Sequence, residues 1–473
     1  MPLIAVTLFA LAVLINWRDE VLSDEARALL EARPMKTVPD NENIFVAMAG
    51  FNAPEGDDIF EAGGSHIEEI EKALEQDPWE VKTIFGGIKE QEGKEELRWQ
   101  ETEPSFDCRF DKETDFLGCA RSQKERIEKT LAANETLVYR YGILQELPYY
   151  VASRNPGALL VMRSHSAMTY VRIFLVAQAL LDVESGNAEA GLTFFKKDLA
   201  TMRRILEGKG ISVDNITPKA HMTRSVYRLS LLLSSPSINV EGQPSGWREL
   251  LEPLSREQIS LRSAIEGDIR RIYDYGVATK WVSYQEATEH PYRFCSFKKS
   301  GETCSTWQWW LDKNGHALFF QPNAKFNYGV PLYKTWLRIS DLSRKNYIEQ
   351  REEALASLTE LSRPGIDWIY NPVGKGAFRN LSYYWDDYYH WGDALRRLYD
   401  LDAYLRLVRL QLELRLAKIL SEDIPAFIEQ LDEAYCAPCS DFSWDAETRM
   451  LSFQPYNESW FTRHASPSVY VPE

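Results

Sequence analysis

The sequence predicts a mainly all-α chain: an irregular helical-hairpin array with a disulfide-pinned loop insertion and a small C-terminal β-hairpin. Three observations lead there. Apolar residues recur at helical spacing through most of the 473 residues. Six cysteines fall into three close pairs, Cys108/Cys119, Cys295/Cys304 and Cys436/Cys439. Two short runs near the end, Asp441–Trp444 and Met450–Gln454, flank the turn-forming DAET.

Taken in order, the first segment, residues 1–17, is uncharged until Arg18, Asp19 and Glu20. It reads as an N-terminal membrane anchor or signal-like segment, with Trp17 at the interface. Its apolar run is shorter than the roughly 20 residues of a spanning helix. It also lacks the basic n-region of a signal peptide, so a cleaved signal and a buried helix stay open beside the anchor.

Residues 18–122 follow as a juxtamembrane helix, capped at Ser23, and an acidic wrapping segment. Asn43–Met48 is a short apolar run, either strand or buried helix. From Asn52 to Pro104 there are sixteen acidic and five basic residues, and Asp57, Asp58 and Glu61 lack calcium-loop spacing.

Residues 123–290 form a helical-hairpin region. One helix is predicted over Arg121–Tyr141, two more over Ala167–Glu184 and Ala188–Leu206 about a Gly186-Asn187 turn, and a third over Ala220–Leu233. Another runs from Ser255 to Tyr275, where Ser255 and Gln258 have capping-box spacing. No 34-residue period recurs, so a regular solenoid is not expected.

Residues 291–330 are the aromatic, cysteine-containing insertion, with Trp307, Trp309, Trp310, Phe319, Phe320 and Asn323 as candidate binding residues. Residues 331–473 complete the chain with helices over Tyr333–Leu361, Trp385–Leu420 and Ile424–Tyr435 and the terminal hairpin. In the longest of these, Leu401, Leu405, Val408, Leu412 and Leu416 make one stripe, and Asp402/Arg406 and Arg409/Glu413 are i,i+4 pairs.

The chemistry is sparsely written. A formal net charge of -16 argues against nucleic acid as a partner. The seven histidines include no HExxH pair, and no metal or other cofactor is expected. Cys436 and Cys439 have CxxC spacing, but the motif follows a helix rather than opening one, so a structural disulfide is the reading here and at the other two pairs. Asn371-Pro372-Val373-Gly374-Lys375-Gly376 lacks the glycine spacing and the Ser/Thr of a phosphate loop. Glu266 and Asp268 sit on a helix, as a glycosidase acid does, although two residues apart they do not share a face.

Several short motifs carry a likeness: Trp17-Arg18-Asp19-Glu20, Asn41–Gly50, Cys108 with Cys119, the hairpin around Gly186, Gln321-Pro322-Asn323, Asn371-Pro372-Val373-Gly374, and Asp400-Leu401-Asp402 leading into RLVRLQLELR. Together they resemble a poorly characterised group of bacterial membrane-anchored, periplasm-facing helical proteins. The likeness runs over most of the chain. It implies an anchored helical body outside the cytoplasm and transfers no catalytic residue.

The resulting expectation is a non-catalytic binding or scaffold protein of the cell envelope, held in a bacterial inner membrane by a single N-terminal anchor. Its body would lie in the periplasm and its partner would be an envelope protein or peptide. The alternatives are a cell-envelope glycan hydrolase using Glu266 or Asp268 and a soluble small-molecule-binding protein.

Overall fold

The computed structural model describes residues 2–16, 18–31, 37–76, 96–100, 116–152, 158–208, 216–270, 272–274, 277, 319–361, 370–371, 391–431 and 442–472. In chain order the helices are α1 (Pro2–Ile15), α2 (Asp24–Leu30), α3 (Ile44–Ala49), α4 (Ile59–Gln76), α5 (Phe116–Ser122), α6 (Lys124–Ala133), α7 (Glu135–Glu146), α8 (Ala158–Glu184), α9 (Ala188–Glu207), α10 (Ile216–Ser234), α11 (Pro244–Leu250) and α12 (Arg256–Ile259). They continue with α13 (262–270), α14 (Pro322–Ile339), α15 (Arg344–Leu361), α16 (Trp391–Ala417) and α17 (Ile424–Gln430). Strands β1 (Phe442–Asp445), β2 (Met450–Phe453) and β3 (Ser468–Tyr470), with α18 (Glu458–Phe461) before β3, complete the described fold. The chain forms two compact units, the first from residues 1–35, 73–84 and 264–391 and the second from 36–72, 85–263 and 392–473.

The mainly helical expectation and the terminal hairpin hold. β1 and β2 pair antiparallel from Phe442↔Phe453 to Asp445↔Met450, and β3 adds a third strand to β2. The anchor does not hold. No helix among the described residues is long and apolar enough to cross a membrane. α1 has 14 residues, about 21 Å at 1.5 Å per residue, against a hydrocarbon core of about 30 Å. The expected inner-membrane partner, the periplasmic placement and the anchored scaffold lose their basis with it.

The disulfide-pinned insertion is corrected as well. Cys119 is the one cysteine among the described residues, so no disulfide joins two of them and the predicted pairings within 291–330 and at 436/439 are not seen. Cys119 is not a free thiol. Cys108, Cys295, Cys304, Cys436 and Cys439 lie outside the described residues, as do Trp17, residues 291–318 and the turn 372–374.

Unit 1 is organised by short polar side chains. Asp19 caps α14 from three hundred residues away: its carboxylate accepts the backbone N–H groups of Asn323 and Ala324, both at 3.0 Å. Buried Asn371 exchanges two hydrogen bonds with the backbone of Gln321, at 2.9 Å each, and its own N–H donates to Asn16 at 2.6 Å. The Gln321 amide donates to the Asn16 carbonyl. Three of the motifs quoted above thus meet in space. The rings of Tyr273, Phe326, Tyr333, Trp336 and Trp391 pack beside them at centroid distances of 5.1–6.5 Å.

In unit 2 the α8/α9 hairpin turns at Gly186, whose φ of +94° favours glycine. The single helix expected over Arg121–Tyr141 is instead broken at Gln123 and Asn134. The Asn134 side chain hydrogen-bonds Thr130 and Gln100 rather than leaving the helix undisturbed. The Ser255/Gln258 capping box forms, but the turn it starts ends at Ile259 and the chain resumes as α13. α16 is buried on more than one face, since Leu398, Leu401, Leu405, Leu407, Val408 and Leu412 are all fully enclosed. Its Gln411 amide donates to Ser230 of α10 and to Tyr470 of β3, joining helix, helix and sheet.

Candidate anion-binding site

A cluster of buried charged side chains lies in unit 2. His221, Arg224, Ser225 and Arg228 recur along α10 at i, i+3, i+4 and i+7, which places them on one face. Met222, Val226, Leu229 and Leu233 on the same helix are buried with the core. An apolar helix therefore carries a basic stripe into the protein.

The stripe meets α8 and α9 through one ion pair. Arg172 and Asp198 are 1% and 0% exposed, and the guanidinium grips the carboxylate at 2.9 and 2.7 Å. Tyr141 donates its hydroxyl to the same carboxylate at 2.6 Å. Arg172 also donates to Ser225 at 2.7 Å and reaches His221 Nδ1 at 3.0 Å. An arginine only donates, so Nδ1 accepts and the neutral His221 ring carries its proton on Nε2. Burial opposes the charge of Arg172, but Asp198 and Tyr141 together outweigh it and the pKa is raised. Burial and the Asp198 charge drive the Tyr141 hydroxyl well up.

Two further arginines lie along the stripe. Arg228 is buried with its guanidinium 4.0 Å from the Phe116 ring centre. Burial, then Arg172 and Arg224, hold its pKa well below the usual arginine value. Arg224 is pushed down to about 10 by burial and by Arg172.

On the α16 side Arg397 pairs with Asp393 and lies 5.2 Å over the Trp460 ring. Trp460 packs edge-on against His464 at 4.8 Å. Buried Asp400 accepts the N–H groups of Tyr456 and Asn457, at 2.7 and 2.8 Å, and so fixes the chain leading into α18. Burial pushes His464 down to about 3, aided by Arg224, Arg397 and Arg463. Its buried Nδ1 has no hydrogen-bond partner among the described residues. Lys219 is fully buried with one long hydrogen bond, 3.4 Å, to the Ala394 carbonyl. Burial, then Arg397, push it down to about 7 against the pull of Asp393. This arrangement concentrates N–H donors and positive charge, the equipment for holding an anion.

The residues singled out from sequence lie elsewhere. Asp268 is buried and accepts the Trp391 indole N–H at 2.7 Å, whereas Glu266, on the same helix, is half-buried. Phe320 is 3% exposed, 5.6 Å from the Lys325 ammonium. Asn323 is occupied with Asp19, Glu20 and Tyr273. Phe319 is half-buried, and Trp307, Trp309 and Trp310 lie outside the described residues. Among the described residues no group of three His, Cys, Asp or Glu side chains is arranged to hold a metal ion. Sequence reading found α10 but not its basic stripe. The usable signal was polar spacing of three, four and seven inside an otherwise apolar helix.

The chain matches no protein-family description, no curated protein and no solved structure. The likeness to membrane-anchored, periplasm-facing proteins is therefore set aside, since the helix on which its topology rests is too short to span.

Proposed function

We propose that this chain is a small-molecule-binding helical protein whose second unit holds an anionic ligand against the basic stripe of α10. One observation carries the reading: Lys219 and Arg228 are buried, with half-buried Arg224 on the same helix, in a chain whose formal net charge is -16. Burying charge is costly unless it is compensated, and a bound anion supplies compensation. The glycan-hydrolase reading has less support, because Asp268 is held by the Trp391 indole and Glu266 lies two residues away on another face.

The test is a thermal-shift screen of the full chain against matched anionic, neutral and cationic metabolites. Anionic compounds are expected to raise the melting temperature in a saturable way, since a ligand bound only to the folded state stabilises it. Stabilisation by neutral or cationic compounds alone would reject the reading.

A further inference from the structure

We infer that Asn52, Asn134, Tyr170 and Phe174 form a docking site for an extended peptide of a partner protein, aliphatic and aromatic at alternate positions, and that residues 96–100 hold this site closed in cis. None of these residues belongs to the candidate anion site. Residues 96–100, Glu-Leu-Arg-Trp-Gln, form neither helix nor strand. Their burial alternates: Leu97 and Trp99 are half-buried, and Glu96, Arg98 and Gln100 are exposed. That is the period-two pattern of an extended chain lying on a surface.

The segment is held through its main chain. Asn134, between α6 and α7, accepts the Gln100 N–H on Oδ1 at 2.9 Å and donates from Nδ2 to the Gln100 carbonyl at 2.8 Å. Nδ2 also donates to the Thr130 carbonyl in α6 at 2.8 Å, which fixes the orientation of the amide. The Asn52 carbonyl accepts the Leu97 N–H at 2.9 Å. Main-chain contacts supply affinity and admit many sequences, whereas side-chain pockets supply specificity. Here selection falls to Trp99, whose ring stacks on Tyr170 at 6.0 Å and meets Phe174 at 5.1 Å. Tyr170 and Phe174 are four residues apart on α8 and share a face. Tyr170 is 40% exposed, so this aromatic wall reaches the surface. The fit of the segment is incomplete. The buried atoms Trp99 Nε1 and Asn52 Oδ1 have no hydrogen-bond partner among the described residues. A buried polar atom left unbonded costs free energy, so the cis contact is weaker than a fully satisfied one, as a displaceable plug requires.

The experiment uses the full chain and an end-capped, fluorescein-labelled peptide carrying residues 96–100, read by fluorescence anisotropy. Trp99→Ala vacates the site, so that chain is expected to bind the peptide saturably. Wild type is expected to bind at least about tenfold more weakly, because the tethered segment competes at the high effective concentration of an intramolecular ligand. Adding Tyr170→Ala to Trp99→Ala is expected to weaken the peptide about fivefold, the scale of one aromatic pair. No binding to Trp99→Ala, equal binding to it and to wild type, or equal binding of a peptide carrying Trp99→Ala would overturn the inference. If the Trp99→Ala chain fails to fold, hydrogen exchange of wild type decides. The Leu97 and Gln100 amides are expected to exchange through a local opening, at rates insensitive to low urea, while buried α8 amides need global unfolding. The same urea dependence at Leu97, Gln100 and α8 would make the segment a fixed part of the fold and reject a displaceable plug.

Discussion

At the residue scale, Arg172 and Asp198 show how a buried charge persists. Each is enclosed, and each has the other plus a second polar contact, from Ser225 or Tyr141. Asp198→Ala strands a guanidinium in the core and is expected to cost about 3–5 kcal/mol in urea denaturation. Replacing both partners, as Arg172→Met with Asp198→Leu, is expected to recover most of that loss. A double variant no more stable than the single one would contradict this account. Lys219 makes the opposite case. Its folded-state pKa, about 7, lies below the ordinary lysine value of 10.5. The unfolded chain therefore binds the proton more tightly, and this residue's contribution to stability rises as pH climbs from about 7 towards 10.5. Lys219→Met is expected to flatten that rise and to stabilise the protein at pH 7, read from denaturation midpoints across the range.

At the element scale, α3 and α4 approach so closely that glycine is required at the crossing. A Cβ on Gly50 would stand 1.9 Å from the Ile59 carbonyl oxygen, and one on Gly63 would stand 2.0 Å from that of Val46. Neighbouring Gly64 meets only the Asp40 carboxylate, at 3.6 Å. Gly50→Ala and Gly63→Ala are each expected to cost about 3 kcal/mol or more through overpacking. Gly64→Ala is expected to be neutral or to gain up to about 1 kcal/mol from helix propensity; thermal melts of the three variants check the contrast.

The same scale shows what local sequence could disclose. The Ser255 capping box, the Gly186 turn and the β1/β2 pairing were legible because each is set by residues a few positions apart. The start of α14 at Pro322 was not, because Pro331 inside the helix reads as a break and the cap arrives from Asp19. β3 was missed for a similar reason: three residues next to Pro467 carry too little pattern, and their pairing with β2 is tertiary. The candidate site lay further out of reach. Arg224, Arg397 and His464 are neighbours only after the chain has folded, although the spacing along α10 was visible.

At the scale of the whole molecule, charge is divided between interior and surface. Among the described residues seven arginines and lysines and five aspartates are buried, so enclosure removes little of the excess negative charge in a chain of formal net charge -16, and most of it stays on accessible residues. Self-repulsion among surface carboxylates falls as salt shortens the Debye length from about 30 Å at 0.01 M to about 8 Å at 0.15 M. The melting temperature is expected to rise across that interval of sodium chloride, and a fall would show that screened attractions dominate instead. The mainly helical class was readable from periodicity. The interleaving of the two units was not, because residues 1–35 join a body made mostly from residues 264–391.

That interleaving matters to anyone shortening this protein at the bench. A fragment begun at residue 21 would discard Asn16 and Asp19, and with them the partners of Gln321, Asn371 and the opening turn of α14. Trimming a greasy leader to ease purification, an ordinary laboratory reflex, would here remove internal scaffolding, and aggregation of the product would reflect the cut rather than the chain.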